Sequence, residues 1–192
     1  MVYTRDLKSL IRKDVWVRVP PSAPQFSMVD SQKIYENILQ LLDTHGVKYK
    51  LFSHRSALTY EDLAVIQQET GFVGTESKCM VMKADDRFIV YVTLQGKKVN
   101  FDRIKEVLGA KKVRLALKEE LFEHFGAEPG CAYPFGFDSQ YDLYVDTGVF
   151  DQEWILFSPL FSTKTVQARG GDLKKLFENI PGKVTEVADW NV

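Results

Sequence analysis

Lys78 heads an apolar run, Lys78-Cys79-Met80-Val81-Met82. Side chains alternate along a strand, so Lys78 shares a face with Met80 and Met82, while Cys79 and Val81 take the other. A lysine in line with core residues has two uses. Its ammonium can enter a pocket and stabilise developing negative charge, or its stem can lie on the core while the charge stays in water. The second feature is the run Gly130-Cys131-Ala132-Tyr133-Pro134-Phe135-Gly136. Its glycines permit backbone conformations other residues avoid, Pro134 stiffens it, and Tyr133 is biased toward an extended shape. Such a loop can aim successive N–H groups at a carbonyl oxygen, an oxyanion or a phosphate, or it can be an ordinary tight connection. Asp146, after Tyr144-Val145, is either a pocket carboxylate or a turn cap.

Other chemistry finds little support. Cys79 and Cys131 stand 52 positions apart with no C-x-x-C, which argues against a zinc ribbon or a thioredoxin-type site and for reduced thiols. A thiol-based redox role would need the two to meet at the pocket. His45, His54 and His124 have no metal-ligand spacing. There is no P-loop and no G-x-S-x-G elbow, and Gly170-Gly171 is too short to mark a phosphate cradle. Neither a metal nor a cofactor is expected.

Charge is concentrated in one place. The 192-residue chain carries a formal charge of −1, with 45% hydrophobic and 27% charged residues. That composition excludes a disordered chain, a collagen-like chain and a globally basic nucleic-acid coat. No apolar run is long enough to cross a membrane. Between positions 97 and 118, however, stand Lys97, Lys98, Arg103, Lys105, Lys111, Lys112, Arg114 and Lys118, opposed by Asp102 and Glu106, for a formal +6. A phosphate backbone would be drawn to such a span; the plainer use is a solvated helix face with its loops.

Capping residues and turn formers outline the elements that must position these groups. Asp30 or Ser31 starts a helix with Ile34, Ile38, Leu41 and Leu42 at helical spacing, closed by Gly46. Tyr49 to His54 reads as a short strand, and Thr59-Tyr60-Glu61-Asp62 as a capping box for a helix ending at Gly71. Lys78–Lys83 and Phe88–Leu94 form a hairpin around 84–87. Asn100 caps a helix over 101–108, followed by a strand over 113–117 and a helix over 118–125. Strands are expected at 143–145, 154–157, 165–168 and 184–187, with a helix opening at Asp172. The mixture predicts an α/β (α+β) fold: one mixed, mainly antiparallel sheet with flanking helices. Residues 1–27 differ, since Val15–Pro24 holds three prolines in five positions and can extend neither helix nor central strand. Val17–Pro24 also reads like a translated tRNA-gene T-arm and CCA end. The expectation is a disordered or artefactual extension over 1–27, with the working domain spanning 28–192 from Met28.

The order of these features resembles the YbaK/ProX family of aminoacyl-tRNA deacylases, a domain found inserted in or beside prolyl-tRNA synthetases. The resemblance rests on a strand bearing His54, a hairpin opening with Lys78, a basic helix, Gly130-x-x-x-Pro134-Phe135-Gly136, Val145-Asp146 and a strand ending near Ser158, and it covers about residues 31–188. It implies a trans-editing hydrolase that releases a wrongly attached amino acid from the tRNA 3′ adenosine. Phe157-Ser158-Pro159 is similar to the branch acting on Ala-tRNA(Pro). The resemblance implies Lys78, Gly130, Cys131 and Ala132 as catalytic residues. His54, Tyr133, Pro134, Gly136, Asp146 and Ser158 would bind substrate. Lys97, Lys98, Arg103, Lys105, Lys111, Lys112 and Arg114 would hold the acceptor stem. The implied partners are mischarged tRNA and a synthetase, not DNA or a membrane, in the cytoplasm. Cys79 replaces the Thr, Ser or Asn often found after the lysine, and Pro159 stands where many members have glycine. Those departures keep a second expectation open: a catalytically weak module of the same fold that binds tRNA or docks on a synthetase.

Overall fold

The computed structural model describes residues 30–188, 190 and 191. The expected extension over 1–27 lies outside the described residues.

Helix α1 (Ser31–Thr44) is capped by the Asp30 carboxylate, which accepts from the N–H groups of Gln32 and Lys33. Strand β1 (Tyr49–Ser53) follows. Helix α2 (Tyr60–Thr70) opens on the reciprocal box of Thr59 and Asp62 and stops at Gly71 in the left-handed region. Each cap satisfies amides that the first helical turn leaves unpaired. Strands β2 (Thr75–Ala84) and β3 (Arg87–Leu94) form the hairpin. Helix α3 (Phe101–Leu108) is capped by Asn100. After it come β4 (Val113–Leu115), α4 (Lys118–Phe125), β5 (Asp142–Asp146), β6 (Ile155–Phe157), β7 (Lys164–Ala168), α5 (Gly170–Phe177) and β8 (Val184–Val187).

Several boundaries differ from expectation: β1 stops at Ser53, before His54, and β2 opens at Thr75, ahead of Lys78. Strand β4 ends at Leu115 because Leu117 becomes the entry to α4, its N–H bonded to the Glu120 carboxylate. Helix α5 starts at Gly170 rather than Asp172. A Cβ at Gly170 would lie 2.6 Å from the Gln152 carbonyl oxygen and 2.8 Å from that of Phe150. The glycine therefore lets this helix start press against neighbouring backbone.

The sheet runs β1-β7-β6-β2-β3-β5-β8, with β4 also paired to β2. Pairs β2–β6, β3–β5 and β5–β8 are parallel; β1–β7, β6–β7, β2–β3 and β2–β4 are antiparallel. This is the mixed α/β architecture expected. Strand β2 is the joint. Thr75 and Glu76 pair with β6, Ser77 through Ala84 pair with β3, and Met82 through Ala84 also meet β4.

Alternation along the hairpin separates two apolar layers. Val81, Val90 and Val92 join α1 (Ile38, Leu42), α4 (Leu121, Phe125) and α5 (Leu173, Leu176) in the main core. Met80, Met82, Ile89 and Tyr91 face the other way, against Ile104 of α3 and Trp190, whose indole stacks on Tyr144. A third cluster (Ala57, Ile66, Phe72, Leu156) seats α2 against β6. Helix α3, with its basic residues, thus lies across the sheet from the main core.

Candidate functional site

Where β2 passes from β6 to β3, the sheet opens beside the start of α2. A cavity of about 160 Å³ lies there. Its walls come from the segment entering α2 (Ala57, Leu58, Thr59, Tyr60, Leu63), from β2 (Glu76, Ser77, Cys79), from the glycine-bounded loop (Gly130, Ala132) and from the end of β6 (Phe157, Ser158). The capping box fixes the Leu58–Thr59 backbone, because the Asp62 carboxylate accepts from both N–H groups. Gly130 adopts φ +88°, and a Cβ there would come within 3.3 Å of the Leu58 carbonyl oxygen. A glycine therefore allows the loop and the α2 entry to close on one another.

Of the expected site residues, the structure brings Gly130, Ala132 and Ser158 together at this cavity. The Ser158 hydroxyl donates to the Phe161 carbonyl at 3.1 Å, which leaves its lone pairs as acceptors. The other members of the loop do not line the cavity. Cys131 is buried, its N–H bonded to the Glu128 carbonyl. The Tyr133 hydroxyl donates to the Phe125 carbonyl at 2.9 Å, and Pro134 is buried behind it. The Gly136 carbonyl is held by the Asn37 side-chain amide on α1.

Lys78 requires a correction of geometry. The expectation placed its ammonium across a cavity from the Gly130 loop, but Ser77 and Cys79 line that cavity and Lys78 does not. The reason is the strand's two-residue period: the lysine's neighbours face the loop, so the lysine turns away. Its Nζ donates to the Lys97 carbonyl at 3.3 Å, near Thr93, its partner across the ladder.

Asp146 lies on that second side as well. It is 2% exposed and accepts from the Thr93 hydroxyl (2.7 Å), the Lys97 ammonium (2.7 Å), the Asn191 amide and the Gly148 N–H. Burial alone would raise its pKa; the bonds from Lys97, Thr93 and Gly148 outweigh that and hold it below the usual value. It is a paired, turn-capping aspartate rather than a cavity carboxylate. His54 is likewise occupied: Nδ1 lies 2.7 Å from the Arg55 carbonyl and Nε2 lies 2.9 Å from the Thr165 hydroxyl. The carbonyl can only accept, so Nδ1 donates to it, and the Thr165 hydroxyl can serve Nε2 as donor or acceptor.

The basic span divides. Lys97 pairs with Asp146, Arg103 with Glu106, and Arg114 with Glu120 at 2.6 Å. Lys98, Lys105, Lys111 and Lys112 are exposed, and the backbone N–H groups of Lys111 and Lys112 bind the Asp85 carboxylate at the hairpin turn.

Glu76 was missed by sequence reasoning. It is 8% exposed, lines the cavity, and accepts a hydrogen bond from the Gln67 side-chain amide at 3.3 Å. Among the described residues it forms no ion pair. Burial pushes its carboxyl up to about 7. The same environment raises the Tyr60 phenol and the Cys79 thiol, each to about 12. Cys79 is therefore a neutral thiol near pH 7, and Cys131 is raised too, so neither is an activated nucleophile. Alternation from Lys78 would assign Glu76 to the lysine's face. The change of partner along β2 instead lets Glu76 and Ser77 reach the same cavity, and only the strand order reveals it. Among the described residues, no three His, Cys, Asp or Glu side chains gather into a metal-binding group.

Comparison with known proteins identifies the family. The family model for the aminoacyl-tRNA editing domain matches residues 54–176, a span that contains every residue lining the cavity. Curated relatives include the proline–tRNA ligase of Bacillus pumilus (strain SAFR-032), 34% identical over 88 residues that make up 44% of this chain and 16% of the relative. The proline–tRNA ligase of Bacillus velezensis (strain DSM 23117 / BGSC 10A6 / LMG 26770 / FZB42) is 40% identical over 72 residues, 38% of this chain and 13% of the ligase. The matched region is thus a small part of those enzymes. Among solved structures, a candidate trans-editing enzyme for prolyl tRNA synthetase superposes with a TM-score of 0.64 at 18% identity, covering 81% of this chain and 97% of the other. At that identity the likeness is one of fold.

Proposed function

Since this chain belongs to the aminoacyl-tRNA editing domain family, we propose that it hydrolyses the ester joining a wrongly attached amino acid to the tRNA 3′ adenosine, acting in trans on a small amino acid such as alanine on tRNA(Pro). The observation that carries this reading is the cavity: about 160 Å³, walled by Ala57, Leu58, Leu63 and Phe157, with polar groups from Glu76, Ser77 and Ser158. At about 30 Å³ per water in the liquid, that is room for about five heavy atoms, the size of an alanyl group.

An aminoacyl ester is already reactive, so positioning and electrostatic stabilisation suffice. The water attacks the carbonyl carbon and gives up a proton, charge gathers on the carbonyl oxygen, and collapse breaks the ester C–O bond, the ribose oxygen taking up that proton to leave as a hydroxyl. In this reading, the backbone at Gly130 and Ala132 faces the developing oxyanion, while Ser77 and Ser158 border the water. The ribose and the acceptor stem remain outside, since the cavity holds only the aminoacyl group. The exposed lysines Lys98, Lys105, Lys111 and Lys112 then supply long-range, salt-sensitive attraction for tRNA. Lys78 supports this side by holding the Lys97 backbone, and its ammonium lies with Lys97 where phosphate would approach. A second, smaller sieve is useful because one methylene separates amino acids by only about 1–3 kcal/mol in a synthetase pocket.

The test is a panel of tRNAs charged with alanine, serine, cysteine and proline, incubated with the protein while amino-acid release is followed. Release of alanine from Ala-tRNA(Pro), with Pro-tRNA(Pro) spared, is expected. Binding of tRNA with no release above spontaneous hydrolysis would replace the hydrolase with the binding-module reading, to which the unusual Cys79 and Pro159 already point.

A further inference from the structure

Glu76 is a nearly buried carboxyl on the wall of a small cavity, and its hydrogen-bond partner is a neutral amide, Gln67. Buried carboxylates are ordinarily paired with a cation, because removing the charge from water is costly. The titratable side chains facing it, Tyr60 and Cys79, supply no positive charge. Lys78, the nearest lysine in sequence, turns to the Lys97 carbonyl. The protein itself therefore leaves the acid without a cation, on the wall of a cavity. Ala57, Leu58, Leu63 and Phe157 bring apolar side chains to the same cavity, and such surroundings strengthen a charge pair formed inside.

We propose that Glu76 is the specificity residue that receives the α-ammonium of the aminoacyl group, so that the cavity accepts aminoacyl esters with a free amino group and rejects N-blocked ones. The inference deepens the function proposed above and rests on the cavity being the aminoacyl site. An entering ammonium would draw the Glu76 proton off and close a charge-assisted bond across the cavity. With the amino group anchored on β2, the ester carbonyl is turned toward the Gly130–Ala132 loop and the side chain toward the apolar wall. An N-acetylated ester carries no charge and adds three heavy atoms to a space sized for about five. Glu76 thus separates aminoacyl esters with a free amino group from N-blocked ones, while the apolar walls choose the side chain.

The test uses a stable amide analogue, 3′-alanylamino-3′-deoxyadenosine, and its N-acetyl form. Each is titrated against the wild type and against Glu76→Gln by calorimetry and by chemical-shift mapping of the cavity residues. The free-amine analogue is expected to bind the wild type at least about ten-fold more tightly than the acetyl form, the scale of one charge-assisted hydrogen bond. In Glu76→Gln the two are expected to converge, through weaker binding of the free-amine form. Equal binding of both forms by the wild type, a comparison that needs no variant, would overturn the role of Glu76 while leaving the cavity as the aminoacyl site. So would a Glu76→Gln protein that keeps the preference but turns over alanyl-tRNA more slowly, which would make Glu76 a base acting on water. If neither form binds while the intact aminoacyl-tRNA is still hydrolysed, the hydrolase stands but the cavity is not its aminoacyl site, and the role of Glu76 falls with that site.

Discussion

Replacing Glu76 with glutamine preserves the side chain's shape and removes its titration, which makes the cost of this acid measurable. In the unfolded chain the carboxyl has an ordinary value near 4.5; in the folded protein, burial raises it to about 7. Below 4.5 both states hold the proton, and the native state bears no charge penalty. Between those values the native state keeps a proton that the unfolded state has lost. Stability therefore falls as pH rises, by at most about 1.4 kcal/mol per pH unit. Above 7 the native carboxyl is ionised as well, and the full penalty of about 3 kcal/mol applies. That is a sizeable share of the roughly 5–15 kcal/mol by which domains are stable. The glutamine variant escapes the penalty. Urea denaturation of both proteins from about pH 4 to pH 8 should show the variant gaining on the wild type by about 3 kcal/mol across the range. Asp62, Asp85, Asp146 and Glu120 are all lowered by their hydrogen bonds and titrate in both proteins, so they cancel in the difference. Tyr60 and Cys79 titrate only near 12 and are silent. Parallel stability curves would show that Glu76 is not desolvated in the folded protein, and the reasoning from its burial would fail. A cost of this size, borne at neutral pH by a group without a cation, is what a ligand-directed acid entails.

Two further outcomes separate function from packing. Lys78→Ala should raise the KM for aminoacyl-tRNA several-fold while largely sparing kcat, because the ammonium holds the Lys97 backbone outside the cavity; a fall of about 100-fold in kcat at unchanged KM would return Lys78 to the reacting atoms. Gly170→Ala should cost about 1–3 kcal/mol in chemical denaturation, since its Cβ would press on the carbonyls of Val149, Phe150 and Gln152; an unchanged midpoint would mean that the start of α5 relaxes freely.

Most of the local structure was legible. Asp30, the Thr59–Asp62 box and Asn100 start helices where their side chains can reach the first free amides, and Gly71, Gly109 and Gly126 end helices in the left-handed conformation. The β2–β3 hairpin could be seen in the two apolar runs on either side of Asp85-Asp86. These are contacts between residues only a few positions apart, so the chain states them directly. The start of α5 was not legible, because Gly170 answers to carbonyls about twenty residues earlier in the chain.

The amino-acid sequence outlined the order of elements and the mixed sheet, and its family resemblance named three residues that line the cavity wall, Gly130, Ala132 and Ser158. Which charged group would share that cavity was decided in three dimensions. Lys78 is conspicuous in the chain yet turns to the opposite face, while Glu76, unremarkable at the head of a strand, is buried at the joint. Periodicity sorts side chains onto two faces but does not say what each face meets. That depends on β2 leaving β6 for β3 between Glu76 and Ser77, a pairing between segments about eighty residues apart for β6, which no local pattern records.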